Sequence, residues 1–141
     1  MEIIEFTESN IEQHLEQCVA IQKHLIKPGE PVNKTQFIET AKDSNTYFMA
    51  VANDGVILGL GVLGKIVHPV QTNAYINNIV VHPDARGQGL FSVIMDNLET
   101  KAKDWGCTRV DLTCSRPKVQ GMYEKRGYIE KDTKFYILKL E

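Results

Sequence analysis

One stretch constrains the fold more than any other: Ile79-Val80-Val81-His82-Pro83-Asp84-Ala85-Arg86-Gly87-Gln88-Gly89-Leu90-Phe91-Ser92. A β-branched run ends at a proline, and a glycine-bearing turn follows. The turn opens directly into apolar residues at helical spacing, Phe91, Ile94, Met95, Leu98, Ala102 and Trp105. The stretch therefore reads as strand, tight loop and helix start. A helix N-terminus behind residues of little bulk offers unpaired N–H groups and a positive dipole end to an anion, most often a phosphate.

The rest of the chain supplies the sheet that this unit needs. Ile3 to Phe6 reads as a first strand, and Ser9 or Asn10 is expected to cap a helix carrying Ile11, Leu15, Cys18, Val19 and Leu25. Lys27-Pro28-Gly29-Glu30-Pro31 stops that helix, and Asn33 to Asp43 forms a second with Phe37, Ile38 and Ala41 on one face. From Thr46 the period changes to two. Tyr47 to Ala52 and Val56 to Val67 are antiparallel strands joined at Asn53-Asp54-Gly55, with Gly59, Gly61 and Gly64 read as bends or bulges. Ala74 to Val81 follows as the next strand. Gly106 ends the long helix, and Arg109 to Thr113 is a strand parallel to Ala74 to Val81 because a helix connects them. Pro117 opens a helix over Lys118 to Lys125 with Gly127 at its C-cap, and Tyr128-Ile129 and Phe135 to Leu140 are expected as strands around an Asp132-Thr133 turn. The fold class expected is α+β, a mixed αβα arrangement. Its central sheet is antiparallel at first and has one parallel βαβ unit carrying the glycine loop.

With 141 residues the chain is expected to form a single domain over 1–141. A net charge of −2 gives no general attraction to nucleic acid or to an anionic membrane, so any anion site has to be local. Cys18, Cys107 and Cys114 show no CxxC spacing and sit among apolar residues, which favours buried reduced thiols over metal or redox roles and a cytoplasmic setting. No metal is expected. Met1-Glu2-Ile3-Ile4-Glu5-Phe6 lacks a basic region followed by an apolar one, and no apolar run approaches the roughly 18 residues of a membrane span.

Three readings compete for Arg86-Gly87-Gln88-Gly89. The turn could be a bare strand-to-helix connection, chosen for geometry alone. A dinucleotide site would want a third glycine where Ser92 stands, and a second βαβ half that the upstream hairpin does not leave room for. The third reading is the pyrophosphate of coenzyme A. Here the chain resembles the GNAT superfamily of N-acetyltransferases, whose central helix starts with Gln/Arg-x-x-Gly-x-Gly/Ala. Arg86 and Gly89 match that pattern, while Phe91 takes the final small position. A bulky side chain there bears on the helix start or on the cofactor channel, but backbone N–H groups do not depend on it. The later Gly121-Met122-Tyr123-Glu124-Lys125-Arg126-Gly127-Tyr128 is similar to the family's Tyr-x-x-x-Gly-Phe/Tyr segment, and Thr113-Cys114-Ser115-Arg116-Pro117 to its preceding link.

The resemblance implies an acetyl-CoA-dependent transfer to a primary amine, in which the small-molecule acceptor binds near the N-terminal third. It assigns cofactor contacts to Arg86, Gly87, Gln88, Gly89, Leu90, Phe91 and Ser92, and to the backbone of Asn78, Ile79, Val80 and Val81 on the central strand. Tyr123 becomes the candidate general acid: a phenol near pKa 10 holds a proton at neutral pH that a leaving thiolate can take. The general base is not evident. Family members often carry a Glu near the position of Asn77, which cannot accept a proton, and His68 is a weak substitute acting through water. A non-catalytic acyl-CoA-binding module of the same fold is the alternative. The final apolar strand, Phe135 to Leu140, could pair with a second subunit as a homodimer.

Overall fold

The structure is a computed structural model and describes residues 1–140. Five strands form one mixed sheet in the order β1 (Glu2–Glu5), β2 (Thr46–Asn53), β3 (Val56–Val67), β4 (Thr72–Val81) and β5 (Arg109–Asp111). The first four pair antiparallel, and β4 pairs parallel with β5 through the crossover helix α3 (Leu90–Asp104). Helices α1 (Leu15–Gln22) and α2 (Lys34–Lys42) cover one face of the sheet. The other face is covered by α3, beside which lies α4 (Pro117–Lys125).

Two apolar layers result from the strand period. On β2, Phe48, Ala50 and Ala52 join Ile11, Cys18, Ile21 and Phe37 in the first layer, and Met49 and Val51 join Leu90, Ile94, Met95 and Leu98 in the second. Cys18 is fully buried, and that burial pushes its thiol up to about 12. Cys107 and Cys114 are only half-buried.

The glycines of β3 have a different purpose from the bends expected of them. A Cβ on Gly61 would stand 2.6 Å from Ile94 Cγ2, and one on Gly59 would stand 2.9 Å from Ile94 Cδ1. They let α3 approach the sheet closely. The irregularity in β3 falls at Leu58, the extra residue between the Val51–Gly59 and Ala52–Ile57 pairs.

Asn33 caps α2, its Oδ1 accepting from the Thr35 N–H at 2.9 Å. Asn33→Ala should lower stability by about 1 kcal/mol, readable as a shift of the urea midpoint at constant slope. Neither Ser9 nor Asn10 caps α1. Asn10 closes its own turn, its Oδ1 accepting from the Thr7 N–H at 2.8 Å and its Nδ2 donating to Glu5 O at 2.9 Å, and a 3-10 turn at Glu12–His14 leads into the helix. A larger correction concerns the end of the chain. Tyr128-Ile129 and Phe135 to Leu140 form no strand, and among the described residues the sheet stops at β5. β5 is also shorter than the expected Arg109 to Thr113.

Candidate active site

The site begins with one inserted residue. Val62 pairs with Asn78 and Leu63 with Ile76, so Asn77 is an extra residue in β4. Before this bulge Ala74 and Ile76 face the α3 layer, and after it Ile79 and Val81 do. β4 pairs with β5 only from Asn73 to Tyr75; beyond Tyr75 the two strands part. The fork between them is a groove of about 620 Å³. Its walls are Ile76–Val81 of β4, the turn before α3, residues Leu112–Arg116 after β5, and Met122 and Tyr123 of α4. Past Tyr75, β5 no longer occupies the edge of β4 that faces this groove.

The glycine turn lies at the mouth of the groove. Gly87 and Gly89 have φ of 79° and 81°, a left-handed backbone that disfavours any residue with a Cβ. Gly89 is the N-cap of α3, whose first rung runs from the Val93 N–H to Gly89 O at 3.2 Å. The N–H groups of Leu90, Phe91 and Ser92 precede that rung and carry the positive end of a long helix. Arg86 is oriented by its Nε donating to Val81 O at 3.2 Å. Phe91 does not displace the helix start. Its ring packs edge-on against Tyr123, with centroids 5.4 Å apart.

Tyr123 is half-buried on the groove wall, between Phe91 and Tyr128, whose ring centroid is 5.8 Å away. Burial pushes its hydroxyl above the ordinary phenol range, and the nearby Cys114 adds to the shift in the same direction. Its backbone is fixed from behind. Arg126 bridges to Glu99 at 2.8 Å and Asp96 at 2.5 Å, and the Tyr128 hydroxyl donates to Glu99 at 2.8 Å, so α4 is clamped onto α3.

A second cavity, of about 550 Å³, lies between α1, the α1–α2 loop, α2 and the sheet. The two cavities share Asn77 and Asn78 as lining residues. Asn78 is locked to α1 by a reciprocal amide pair with Gln22, at 3.0 and 2.9 Å. Around the second cavity stand Asn33, Gln36, Thr40 and the carboxylates of Glu39 and Asp43.

Most of the residues singled out from sequence surround the fork: Asn78 to Val81, Arg86, Gly87, Gly89 to Ser92 and Tyr123 all line the groove. Gln88 belongs to the turn but is not in the lining. His68 is not brought there. It is exposed in the β3–β4 turn, its N–H bonded to Gln71 O at 3.2 Å, and it lines neither cavity. Sequence reasoning missed His24 and Arg116. His24 reaches the groove from the end of α1 and meets His82 edge-on at 4.9 Å, and the Arg116 Nη2 donates to Leu25 O at 3.4 Å across the groove. Both contacts are long-range in the chain, and no local spacing announces them.

The mixed α+β fold is shared with solved acetyltransferases. A Trypanosoma brucei acetyltransferase superposes with a TM-score of 0.78 at 23% identity, over 98% of this chain and 99% of that one. An aminoglycoside acetyltransferase from an uncultured soil metagenomic sample, solved with sisomicin, superposes at 0.79 and 14% identity, over 99% and 96% of the two chains. The chain belongs to the acetyltransferase (GNAT) family, whose sequence model matches residues 10–128. Among curated relatives, glucosamine 6-phosphate N-acetyltransferase 1 of Dictyostelium discoideum is 32% identical over 74% of this chain and 72% of its own length. The Oryza sativa subsp. japonica protein of the same name is 26% identical over 76% and 70%. A Drosophila melanogaster relative is 30% identical over 107 residues, and there the match spans 48% of that protein. No helix among the described residues is long and apolar enough to cross a membrane.

Proposed function

We propose that this chain transfers an acetyl group from acetyl-CoA to the primary amine of a small molecule, the amine attacking the thioester directly. The observation that carries the reading is the meeting of two cavities at Asn77 and Asn78, one holding the glycine turn and Tyr123, the other walled by amides and carboxylates.

The residues present fit acetyl-CoA. The N–H groups of Leu90, Phe91 and Ser92, with the Arg86 guanidinium beside them, suit a pyrophosphate. The groove-side edge of β4 over Asn78 to Val81 offers backbone donors and acceptors to an amide-bearing arm and to the carbonyl under attack. When bound, acetyl-CoA supplies a thioester whose carbonyl carbon takes the amine nitrogen and whose sulfur leaves as a thiolate. Tyr123 holds the proton for that sulfur at Oη. Burial keeps the phenol protonated across the neutral range, and its fixed ring limits the positions Oη can reach. Water in the second cavity takes the proton that the amine gives up.

The nearest carboxylates to that cavity, Glu39 and Asp43, stand with the amides of Gln22, Asn33, Gln36, Asn77 and Asn78. This lining supports a hydroxylated or cationic amine. The Dictyostelium and rice relatives are named for a phosphorylated aminosugar; here the carboxylates oppose a phosphate and favour an amine without one.

The test is free-thiol release from acetyl-CoA against a panel containing glucosamine, glucosamine 6-phosphate, a polyamine, an aminoglycoside and an amino-terminal peptide, run beside thermal shift with acetyl-CoA alone. Thermal stabilisation is expected, together with thiol release that is faster for the unphosphorylated small amines. Stabilisation without thiol release from any amine would make the chain an acyl-CoA-binding module. No stabilisation would remove both readings, and a preference for glucosamine 6-phosphate would overturn the assignment of the acceptor.

A further inference from the structure

We propose that His24 is the general base of the transfer, the group that receives the proton of the attacking amine. The inference rests on the acetyl-transfer reading and adds a residue to it.

His24 is held over the fork from both sides. Two residues before it, Gln22 is joined to Asn78 of β4 by the reciprocal amide pair at 3.0 and 2.9 Å. One residue after it, Leu25 O accepts from the Arg116 Nη2 at 3.4 Å, on the wall beyond β5. The end of α1 is thus tied to both walls of the groove, and the imidazole between the ties is part of the lining. Its ring meets His82 edge-on at 4.9 Å. The His82 Nδ1 is already engaged, accepting from the Asp84 N–H at 3.1 Å.

Chemistry singles out His24 from the other lining residues. Among the described residues the groove is lined by no carboxylate and no lysine. Arg86 and Arg116 have no lone pair to offer, the Cys114 Sγ donates to Arg116 O at 3.6 Å, and Tyr123 holds its proton already. An imidazole is the side chain that takes up a proton near neutral pH. The two groups also reach the fork from opposite faces of the sheet, Tyr123 from the α3 layer and His24 from the turn that ends α1. Direct attack needs that division, with a base toward the nucleophile and an acid toward the leaving sulfur. As the nitrogen–carbon bond forms and the carbon–sulfur bond breaks, the Tyr123 Oη gives its proton to sulfur. His24 gains the proton that nitrogen gives up, relayed by the water of the second cavity. An amide and a free thiol result, and His24, which is exposed, returns its proton through solvent to the Tyr123 oxygen.

The charged and titratable groups around His24 come from several elements. Lys23 precedes it, His82 lies against its ring, and the Asp84 Oδ2 is 3.9 Å from the His82 Nδ1. Arg86, Cys114, Arg116 and Tyr123 share the groove lining. On β3 the one charge, Lys65, lies near Cys107. On α2, Lys34 is paired with Glu16 at 2.6 Å, and Glu39 faces the second cavity with Asp43. A proton on His24 removes its lone pair, so turnover falls toward acid pH.

The experiment compares the native protein with His24→Gln in thiol release with the best amine of the panel, in thermal shift with acetyl-CoA, and in nuclear magnetic resonance of the imidazoles with coenzyme A added. The chain has four histidines, so the His24 signal is the one missing from the variant. Turnover is expected to fall about 10²-fold, the lower end of the range for a positioned base, with stabilisation by acetyl-CoA retained. The acid limb of the native profile should flatten, added imidazole should restore part of the rate of His24→Ala, and the native His24 signal should move with coenzyme A. Native-like turnover in His24→Gln, or a His24 signal unmoved while coenzyme A stabilises the protein, would overturn the proposal and leave acetyl transfer standing. Lost turnover with neither imidazole rescue nor a changed acid limb would make His24 a structural residue only. A loss in Glu39→Gln or Asp43→Asn but not in His24→Gln would place the base at the second cavity instead. No thiol release by the native protein with any amine would remove the transfer reading and this base with it.

Discussion

Tyr123→Phe should lower kcat for acetyl transfer by about 10²- to 10⁴-fold, the range for loss of a positioned general acid. The KM for acetyl-CoA should hardly move, because the aromatic ring that packs on Phe91 and Tyr128 is retained. The removed atom is one oxygen, and the clamp formed by Arg126, Glu99 and Asp96 is untouched. Thermal shift with acetyl-CoA separates the two quantities: stabilisation by the donor should survive while turnover is lost. The pH profile adds a second check. Burial raises the Tyr123 hydroxyl above its ordinary value, so the acid form persists through neutral pH and the alkaline fall in native kcat belongs above pH 10. If Tyr123→Phe turns over like the native enzyme, the thiolate takes its proton from elsewhere.

Gly61→Ala should be the most damaging single-methyl change in the sheet. The added Cβ would meet Ile94 Cγ2 at 2.6 Å, Met49 Sδ at 3.2 Å and Leu98 Cδ1 at 3.3 Å. All three neighbours are fully buried, so none can swing into solvent. Overpacking of this kind costs about 1–3 kcal/mol, a fall of roughly 3–12 °C in melting temperature for a domain of this size. Because α3 carries the amides at the groove mouth, a weaker response to acetyl-CoA should accompany the loss. Gly87→Ala is the useful contrast. A Cβ there meets nothing within 4 Å, so its cost comes from the left-handed backbone alone. A Gly61→Ala variant as stable as the native chain would mean that α3 can lift from the sheet more easily than its packing suggests.

What the sequence discloses and what it conceals divide along the range of the interactions. The β4–turn–α3 unit is legible because each boundary is written locally, in a β-branched run, a proline, two glycines at positive φ and a helical stripe. Asn33, the Asn53-Asp54-Gly55 turn and Pro117 are likewise local, and the elements they bound lie where their chemistry puts them. The purpose of Gly59 and Gly61 is not local, since the partner that demands them is Ile94 on α3. The misreading of Phe135 to Leu140 has a different cause. Its composition is that of a buried strand, but an apolar run becomes one only against a paired edge, which no local pattern supplies, and here the segment is exposed. On the site, local motif pointed to the groove wall and the helix start. The His24–His82 contact and the Arg116–Leu25 bridge arise only once α1 is laid across the fork.

The bulge at Asn77 carries a consequence for how this site tolerates change over generations. The fork depends on how many residues lie between the Ile76 and Asn78 pairings, and not on which residue is the surplus one. Point replacement at 77 leaves that count intact, so the cleft stays open whichever side chain stands there. Loss of one codon there would bring β4 back into regular phase, with Ile79 and Val81 keeping the faces they have, and let the strand close against β5. At position 77 a deletion should therefore cost the cleft itself, where a substitution costs only what the Asn77 side chain contributes to the two cavities it lines.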